Sequence, residues 1–305
     1  MKVLFVFSGN STKVHPFISE QRLSLEKKGV QIDYFPIIGK GLTGYLKNLP
    51  NLNKIIKINS YDLVHAHYGF SGMLAVLQTK CPVIISFIGE MNFPILRIIS
   101  RIALRFSAYN IFVSEELKVK SKIKNNNYSI IPYGVDLDTF VLLDKVESRK
   151  KLKLPLNRRV ALFSGLFDNP DKNYQLAKDS VNLVDGLILF ELSGHYKRNE
   201  VNLLFNACDL LLLTSPSEGS PQVIKEAMAC NCPIVSTDVG DVKEIITNTE
   251  GCYITSYQPK DIAEKINLAL SFKNSTCGRD KIAHLDVNII AEKIKSVYNK
   301  VLLDK

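Results

Sequence analysis

The stretch Cys208-Asp-Leu-Leu-Leu-Leu-Thr-Ser-Pro-Ser-Glu-Gly-Ser-Pro-Gln-Val-Ile-Lys-Glu-Ala-Met-Ala-Cys230 decides how the chain folds. Leu210–Leu213 is apolar at every position, as a strand buried on both faces of a parallel sheet must be. It runs into a polar turn and then a helix opening near Pro221, where a residue without an N–H costs nothing. The amides of Gln222 and Val223, with those of Gly219 and Ser220 in the turn, then point out of the helix N-terminus. Such a mouth favours an anion, and a nucleotide diphosphate would fill it. Glu226 lies about one turn further in, where a carboxylate can accept hydrogen bonds from two vicinal hydroxyls of a ribose. Glu218 sits before the helix, at the carboxyl end of the strand.

Strand-like and helical runs alternate outward from this point in both directions, the pattern of parallel sheets covered by helices. The first series has strands at Val3–Phe7, Gln31–Pro36, Asp62–His65, Val83–Phe87, Asn110–Val113 and Tyr128–Ile131, with a helix at Pro16–Lys28 ending at Gly29. The second has Arg159–Ser164, Leu187–Leu192, Asp209–Thr214, Pro233–Ser236 and Gly251–Ile254. The sequence is α/β, with two Rossmann-like domains at 1–143 and 144–286, a boundary near 141–150 that is either the linker or the first helix beyond it, and a closing helix over 287–305. Ligands of open parallel sheets bind beyond the carboxyl ends of the strands. The expected site is therefore a cleft between the two domains.

Composition narrows the classes. A chain of 305 residues, 46% hydrophobic and 23% charged, has the makeup of a globular protein large enough for two cores. No apolar run reaches the roughly 18–20 residues of a spanning helix. The opening Met1-Lys-Val-Leu-Phe-Val-Phe-Ser-Gly9 reads as a buried strand and is too quickly polar for a signal peptide. The six cysteines are scattered, and Cys230-Asn-Cys232 is too tight for a zinc pair, so free thiols in a reducing cytoplasm are expected. The net charge of +9 suits phosphorylated ligands or an anionic membrane surface. Nucleic acid is not expected, because neither an aromatic-basic ribonucleoprotein motif nor zinc-finger spacing is present.

Seven residues separate Glu218 from Glu226, with Glu-Gly-Ser-Pro at the first and Cys-Pro-Ile-Val-Ser-Thr-Asp-Val-Gly240 downstream. This resembles the signature of the retaining family 4 glycosyltransferases, which have the GT-B fold. The resemblance covers nearly the whole chain: Asp62-Leu-Val-His-Ala-His-Tyr68 looks like the family's first-domain strand, and Ile131-Pro-Tyr-Gly-Val-Asp-Leu-Asp-Thr-Phe140 like its interdomain motif. It implies that Glu226 binds the nucleotide ribose. It also implies that Glu218 contacts the donor sugar or supports the reacting centre, and that the amides after Gly219 hold diphosphate or sugar hydroxyls. The last helix is implied to cross back onto the first domain.

Further positions follow from the same resemblance. Gly165 opens the second domain's first turn, and Lys172 matches the family's phosphate-binding lysine, but Leu166 stands where an arginine is expected. Lysine does not replace the bidentate fork of arginine. Gly9, in the turn after the first strand, would let ligand atoms approach the backbone. His67, on the same side of its strand as His65, is either a general base or acceptor contact or a packed structural histidine. Ile88 stands where many members carry a histidine, and Glu90 is the candidate polar contact in its place. Arg97, Arg101 and Arg105 recur at four-residue intervals on a helix with much apolar surface, followed by Lys118, Lys120, Lys122 and Lys124. This is either a solvated face or a surface for anionic lipid or a lipid-phosphate acceptor.

The expected activity is transfer of a sugar from a nucleoside diphosphate sugar to a hydroxyl of a carbohydrate or lipid-linked acceptor, with retention. It is placed in polysaccharide or glycolipid synthesis, on the cytoplasmic side and peripheral to the membrane. No cofactor is expected. The absence of an Asp-x-Asp run beside a strand points to a reaction without a metal. The competing readings are a nucleotide-sugar epimerase of the same architecture and a non-catalytic sugar-nucleotide-binding subunit.

Overall fold

A computed structural model describes residues 1–11, 14–89, 94–193, 195–272 and 275–304. It divides into two compact units, Met1–Gly134 together with Val287–Lys305, and Val135–Asp286.

In the first unit the elements run β1 (Lys2–Ser8), α1 (Pro16–Lys27), β2 (Gln31–Ile37), α2 (Gly41–Leu46), α3 (Leu49–Asn59), β3 (Leu63–His67), α4 (Gly69–Ala75), β4 (Val83–Phe87), α5 (Pro94–Phe106), β5 (Tyr109–Phe112), α6 (Glu115–Ser121) and β6 (Tyr128–Ile130). The six strands are parallel, in the order β2-β1-β3-β4-β5-β6. Val3–Phe7 is buried on both faces, so its continuous apolar run reads as an interior strand for a physical reason. Strand β3 runs on to His67, past the expected end at His65, with Phe5 paired to His65 in register.

The second unit contains α7 (Lys145–Leu152), β7 (Arg159–Phe163), α8 (Tyr174–Val181), β8 (Leu187–Glu191), α9 (Arg198–Ala207), β9 (Leu210–Leu213), α10 (Gln222–Ala229), β10 (Ile234–Thr237), α11 (Val242–Ile246), β11 (Cys252–Thr255), α12 (Pro259–Ser271) and α13 (Gly278–Lys281). Its five parallel strands are ordered β11-β10-β9-β7-β8. The order in which strands are added across the sheet reverses between β1 and β3 in one sheet and between β7 and β9 in the other. Such switch points open a crevice at the strands' carboxyl ends.

The boundary differs from the expected one. Of the two readings of 141–150 the helix is the one present, as α7, and the segment lies within the second unit, held there by polar groups. Asn202 Oδ1 accepts from Val141 N at 3.1 Å, and Asn206 Oδ1 from Leu143 N at 2.7 Å. Arg279 donates to Leu137 O at 2.7 Å and to Phe140 O. A linker carries few such bonds, and this segment is fastened along its length. The last helix, α14 (Val287–Leu303), belongs to the first unit. Lys28 meets Glu292 at 3.0 Å, Lys295 Nζ donates to Lys28 O at 2.7 Å, and Tyr298 is wholly buried.

Candidate active site

The second unit builds its polar centre at the carboxyl ends of β7 and β9. Helix α10 has Pro221 as its N-cap residue, so the expected mouth is present and the amides of Gln222 and Val223 open it. The turn before it is fixed by close packing. Gly240 has φ +58°, and a Cβ there would lie 2.5 Å from Gly219 O. Only glycine lets the turn after β10 pass so near the Glu218–Gly219 backbone.

Lys172 reaches this centre across Gly165. A Cβ on Gly165 would stand 2.8 Å from Lys172 Cγ, so the glycine makes room for the lysine stem. Thr214 Oγ1 donates to Lys172 O at 2.9 Å and to Asn173 O at 3.1 Å, tying the loop to the end of β9. Glu191 Oε2 accepts from Phe167 N at 2.6 Å and fixes the loop's near side. With its backbone so held, Lys172 places Nζ 2.5 Å from Glu218 Oε1. Both side chains are part-exposed, at 22% and 19%, so a ligand can reach them. Glu226 is almost wholly buried, and its Oε1 accepts from Arg198 Nη2 at 2.7 Å. The Arg198 guanidinium lies over the Phe140 ring at 4.6 Å.

Lys225 gives a result that the sequence did not suggest. A lysine on a helix is ordinarily solvated, yet this one is 0% exposed. Its Nζ turns back over the start of α10, donating to Ser220 Oγ at 2.8 Å and Gln222 Oε1 at 3.0 Å. Ser220 Oγ in turn donates to Asp241 Oδ2 at 2.5 Å. Burial pushes the Lys225 ammonium down to about 8, opposed by the charges of Asp241 and Glu226. Burial likewise raises the Asp241 carboxyl, offset by Lys225 and the Ser220 hydrogen bond. A cation and an anion thus share the serine of the turn, behind the helix mouth.

Glu218, Lys172, Gly219, Ser220, Pro221, Gln222, Val223, Gly165 and Glu226 therefore stand on adjoining elements of one unit. Arg198 and Lys225 join them without having been foreseen. Neither has a motif: Arg198 meets Glu226 only because α9 and α10 pack together, and Lys225 reads as one more surface charge in an amphipathic helix. In the same unit, a cavity of about 410 Å³ lies at the opposite, amino ends of the strands, lined by Arg159, Asp209 and Pro233 among others, and takes no part in this centre.

One first-unit expectation is corrected. His67 is 0% exposed, with Nδ1 2.9 Å from Tyr133 OH and its ring stacked on His65 at 4.6 Å. His65 is closed in by Tyr298 OH at 2.6 Å and Ser86 Oγ at 2.8 Å. Burial lowers His65 to about 3, and burial together with the neighbouring His65 holds His67 far below its ordinary value. A residue so enclosed contacts no substrate, and His67 is a packed core histidine. Gly9 is also explained by packing. A Cβ there would lie 2.6 Å from Pro36 Cβ, while Gly9 N donates to Ile37 O at 2.8 Å. Glu90 lies outside the described residues.

What the first unit does offer at its switch point is a pocket of about 480 Å³. Ser8, Asn10, His15, Tyr45, Tyr68 and Phe70 line it, with Lys40 at its edge and Leu96 and Ser100 on one wall. Asn10 clamps Gly39 with both ends of its amide, at 2.7 and 2.9 Å. Tyr68 ends β3 at φ +71°, a conformation costly for an aromatic residue and concentrated at functional sites. Ile88, at the end of β4, is part-buried against the apolar core. Each of the six cysteines is a free thiol. Among the described residues no His, Cys, Asp and Glu side chains converge as a metal would require. None of the described helices is long and apolar enough to cross a membrane.

Two parallel α/β units, each with its polar residues at a strand-end crevice, define the GT-B class. Comparison with known proteins agrees. Residues 12–139 match the family described as Glycosyltransferase Family 4, and residues 187–279 that described as Glycosyl transferases group 1. The chain is a GT-B, glycosyltransferase family 4-like protein. It is 28% identical over 235 residues to the putative teichuronic acid biosynthesis glycosyltransferase TuaC of Bacillus subtilis, covering 67% of this chain and 60% of that protein. It is 27% identical over 308 residues to the N,N'-diacetylbacillosaminyl-diphospho-undecaprenol alpha-1,3-N-acetylgalactosaminyltransferase of Campylobacter jejuni, covering 84% and 82% of the two chains. Among solved structures, Anabaena HepE in complex with UDP and glucose superposes with a TM-score of 0.80 at 17% identity, covering 98% of this chain and all of that one.

Proposed function

We propose that this protein transfers a sugar from a nucleoside diphosphate sugar to an acceptor hydroxyl, with retention and without a metal ion. The observation that carries the reading is the mouth of α10, where Lys172 and Glu218 meet at 2.5 Å beside the buried carboxylate of Glu226. The amides of the mouth and the Lys172 ammonium stabilise the departing diphosphate, whose charge grows as the glycosidic bond breaks. Glu226 accepts from the ribose hydroxyls, and Arg198 holds that carboxylate in place. Arg198 also brings a guanidinium to a site that has Leu166 where the family places an arginine. Glu218 contacts the donor sugar. The bond from the anomeric carbon to the phosphate oxygen breaks, and the bond to the acceptor oxygen forms on the same face. The acceptor's proton leaves with the phosphate.

The first-unit pocket, with three aromatic rings and with Lys40 and His15 nearby, suits a sugar acceptor carrying an anionic group. Two relatives, named for teichuronic acid biosynthesis and for a diphospho-undecaprenol acceptor, support a role in cell-surface polysaccharide or glycolipid synthesis.

Thermal shift with a panel of nucleotide sugars tests the reading, since a ligand that binds only the folded chain raises Tm by mass action. One nucleotide sugar is expected to raise it, and Glu226→Ala and Lys172→Ala to abolish both the shift and the turnover. Full transferase activity in both variants overturns the site. A donor consumed at the same rate without any acceptor overturns the transfer.

A further inference from the structure

Helix α5 carries its largest apolar side chains on the side away from the protein. Ile95, Ile98, Ile102 and Phe106 are 75%, 61%, 42% and 67% exposed. At about 100° per residue they fall within roughly 80° of one another, a single stripe along the helix. The inward face is different: Ser100, Ala103 and Leu104 are buried, and Gly69 of α4 packs directly on Ser100. A continuous exposed stripe of this kind marks a surface that is covered in use.

The chemistry of the flank indicates what covers it. Helix α5 has three arginines and no acidic residue. Arg101 is committed internally, with Nη2 donating to Lys120 O at 2.7 Å and Nε to Ser121 O at 3.1 Å, and so joins α5 to the end of α6. The arginine stripe is therefore not the docking element by itself. Arg105 on α5 is exposed, as are Lys122 and Lys124 just beyond the α6 carbonyls that Arg101 binds, and Val119 of α6 is 62% exposed. A second copy of the chain, laid stripe to stripe about a two-fold axis, would set arginines against arginines with no acid on either helix to offset them. An anionic bilayer offers what both parts of the surface require, acyl chains for the stripe and phosphates for the basic flank.

We propose that the outer face of α5 is a membrane-docking surface, with Ile95, Ile98, Ile102 and Phe106 seated below the headgroups of an anionic leaflet and Arg105, Lys122 and Lys124 at the phosphates. The inner flank of the same helix gives Leu96 and Ser100 to the wall of the 480 Å³ pocket. Docking thus holds that pocket within a helix's width of the membrane surface, which deepens the proposed transfer by placing its acceptor on a lipid. That last step rests on the proposed function, whereas the docking does not.

The test is co-sedimentation of the full chain with phosphatidylcholine vesicles, with and without phosphatidylglycerol. Binding to the anionic vesicles is expected, weakened but not abolished by added salt. The variant Ile98→Ser/Ile102→Ser/Phe106→Ser is expected to bind about tenfold or more weakly, because each side chain forfeits its burial in lipid. It should keep the nucleotide affinity and the helical circular dichroism of the parent, which shows that it is folded. Equal vesicle binding by parent and variant overturns the proposal, as does a parent that ignores anionic vesicles. A dimer in solution that the same variant splits, without vesicle binding, assigns the stripe to a second copy and overturns it too. A chain that binds vesicles but turns over no nucleotide sugar leaves docking intact and removes the transferase reading.

Discussion

Two clusters of polar side chains stand at carboxyl ends of strands, and they have opposite fates. At the end of β3, His65 and His67 are sealed by Tyr298 from α14, Tyr133 and Ser86, and both rings are 0% exposed. At the end of β9, Glu218 and Lys172 face one another with a fifth of each side chain exposed, and Glu226 stands behind them on Arg198. Position at a strand end is the same in both. The difference is what arrives to cover it: a long helix closes the first, and a turn pinned between Gly219 and Gly240 leaves the second open. Neutral, enclosed histidines specify packing, whereas opposed charges at an edge are available to a charged ligand.

Paired substitutions distinguish the two clusters most directly. Glu218→Gln is expected to lower kcat by about a hundredfold or more, as loss of a group acting at the reacting centre does, with Tm little changed. His67→Phe is expected to leave kcat within about threefold of the parent and to act on stability instead, because a packed side chain away from the chemistry does so. Steady-state kinetics beside thermal melts decide this, and the reverse result would show that the two clusters have been assigned the wrong roles.

The buried Lys225 gives a sharper version. Lys225→Met is expected to weaken nucleoside diphosphate binding by about tenfold, because the buried ammonium orients Ser220 and Gln222 at the mouth and adds to its positive field, while binding of the corresponding nucleoside without phosphates is unchanged. Calorimetry with the two ligands distinguishes this from general damage to the unit, which would weaken both.

Acid separates the clusters in another way. His65 is neutral in the folded chain down to about pH 3, and His67 is held lower than its ordinary value as well. In the unfolded chain both titrate near 6.5. Between these values the unfolded state binds more protons, so stability is complete above about pH 6.5 and is lost as pH falls below it. His65 alone removes about 1.4 kcal/mol by pH 5.5, and His67 adds to the loss in the same direction. His67→Phe should make that pH dependence shallower in denaturant titrations. The smallest effect is expected from Tyr298→Phe, which leaves His65 Nδ1 without its partner for about 1 kcal/mol and leaves turnover unchanged.

The fold was legible because both sheets are built from strands buried on both faces, and Val3–Phe7 and Leu210–Leu213 can be little else. The α10 mouth was legible because proline, glycine and paired glutamates are local signals. Helices α2, α3 and α4 were not read, since they are short and two of them bury few residues. The unit boundary was hidden because Arg279, Asn202 and Asn206 reach it from far along the chain. The enclosure of His67 is hidden for the same reason: it arrives through Tyr133 and, by way of His65, through a helix more than two hundred residues away. Polar residues at a strand end look alike until their distant partners are known.

The return of α14 to the first unit has a consequence for how the protein is made. The second unit is one uninterrupted segment and holds all its strands before α14 leaves the ribosome. The first unit begins earlier but lacks the helix that lids His65 until the whole second unit has been made. Maturation therefore runs against the order of the units, with the second able to finish before the first.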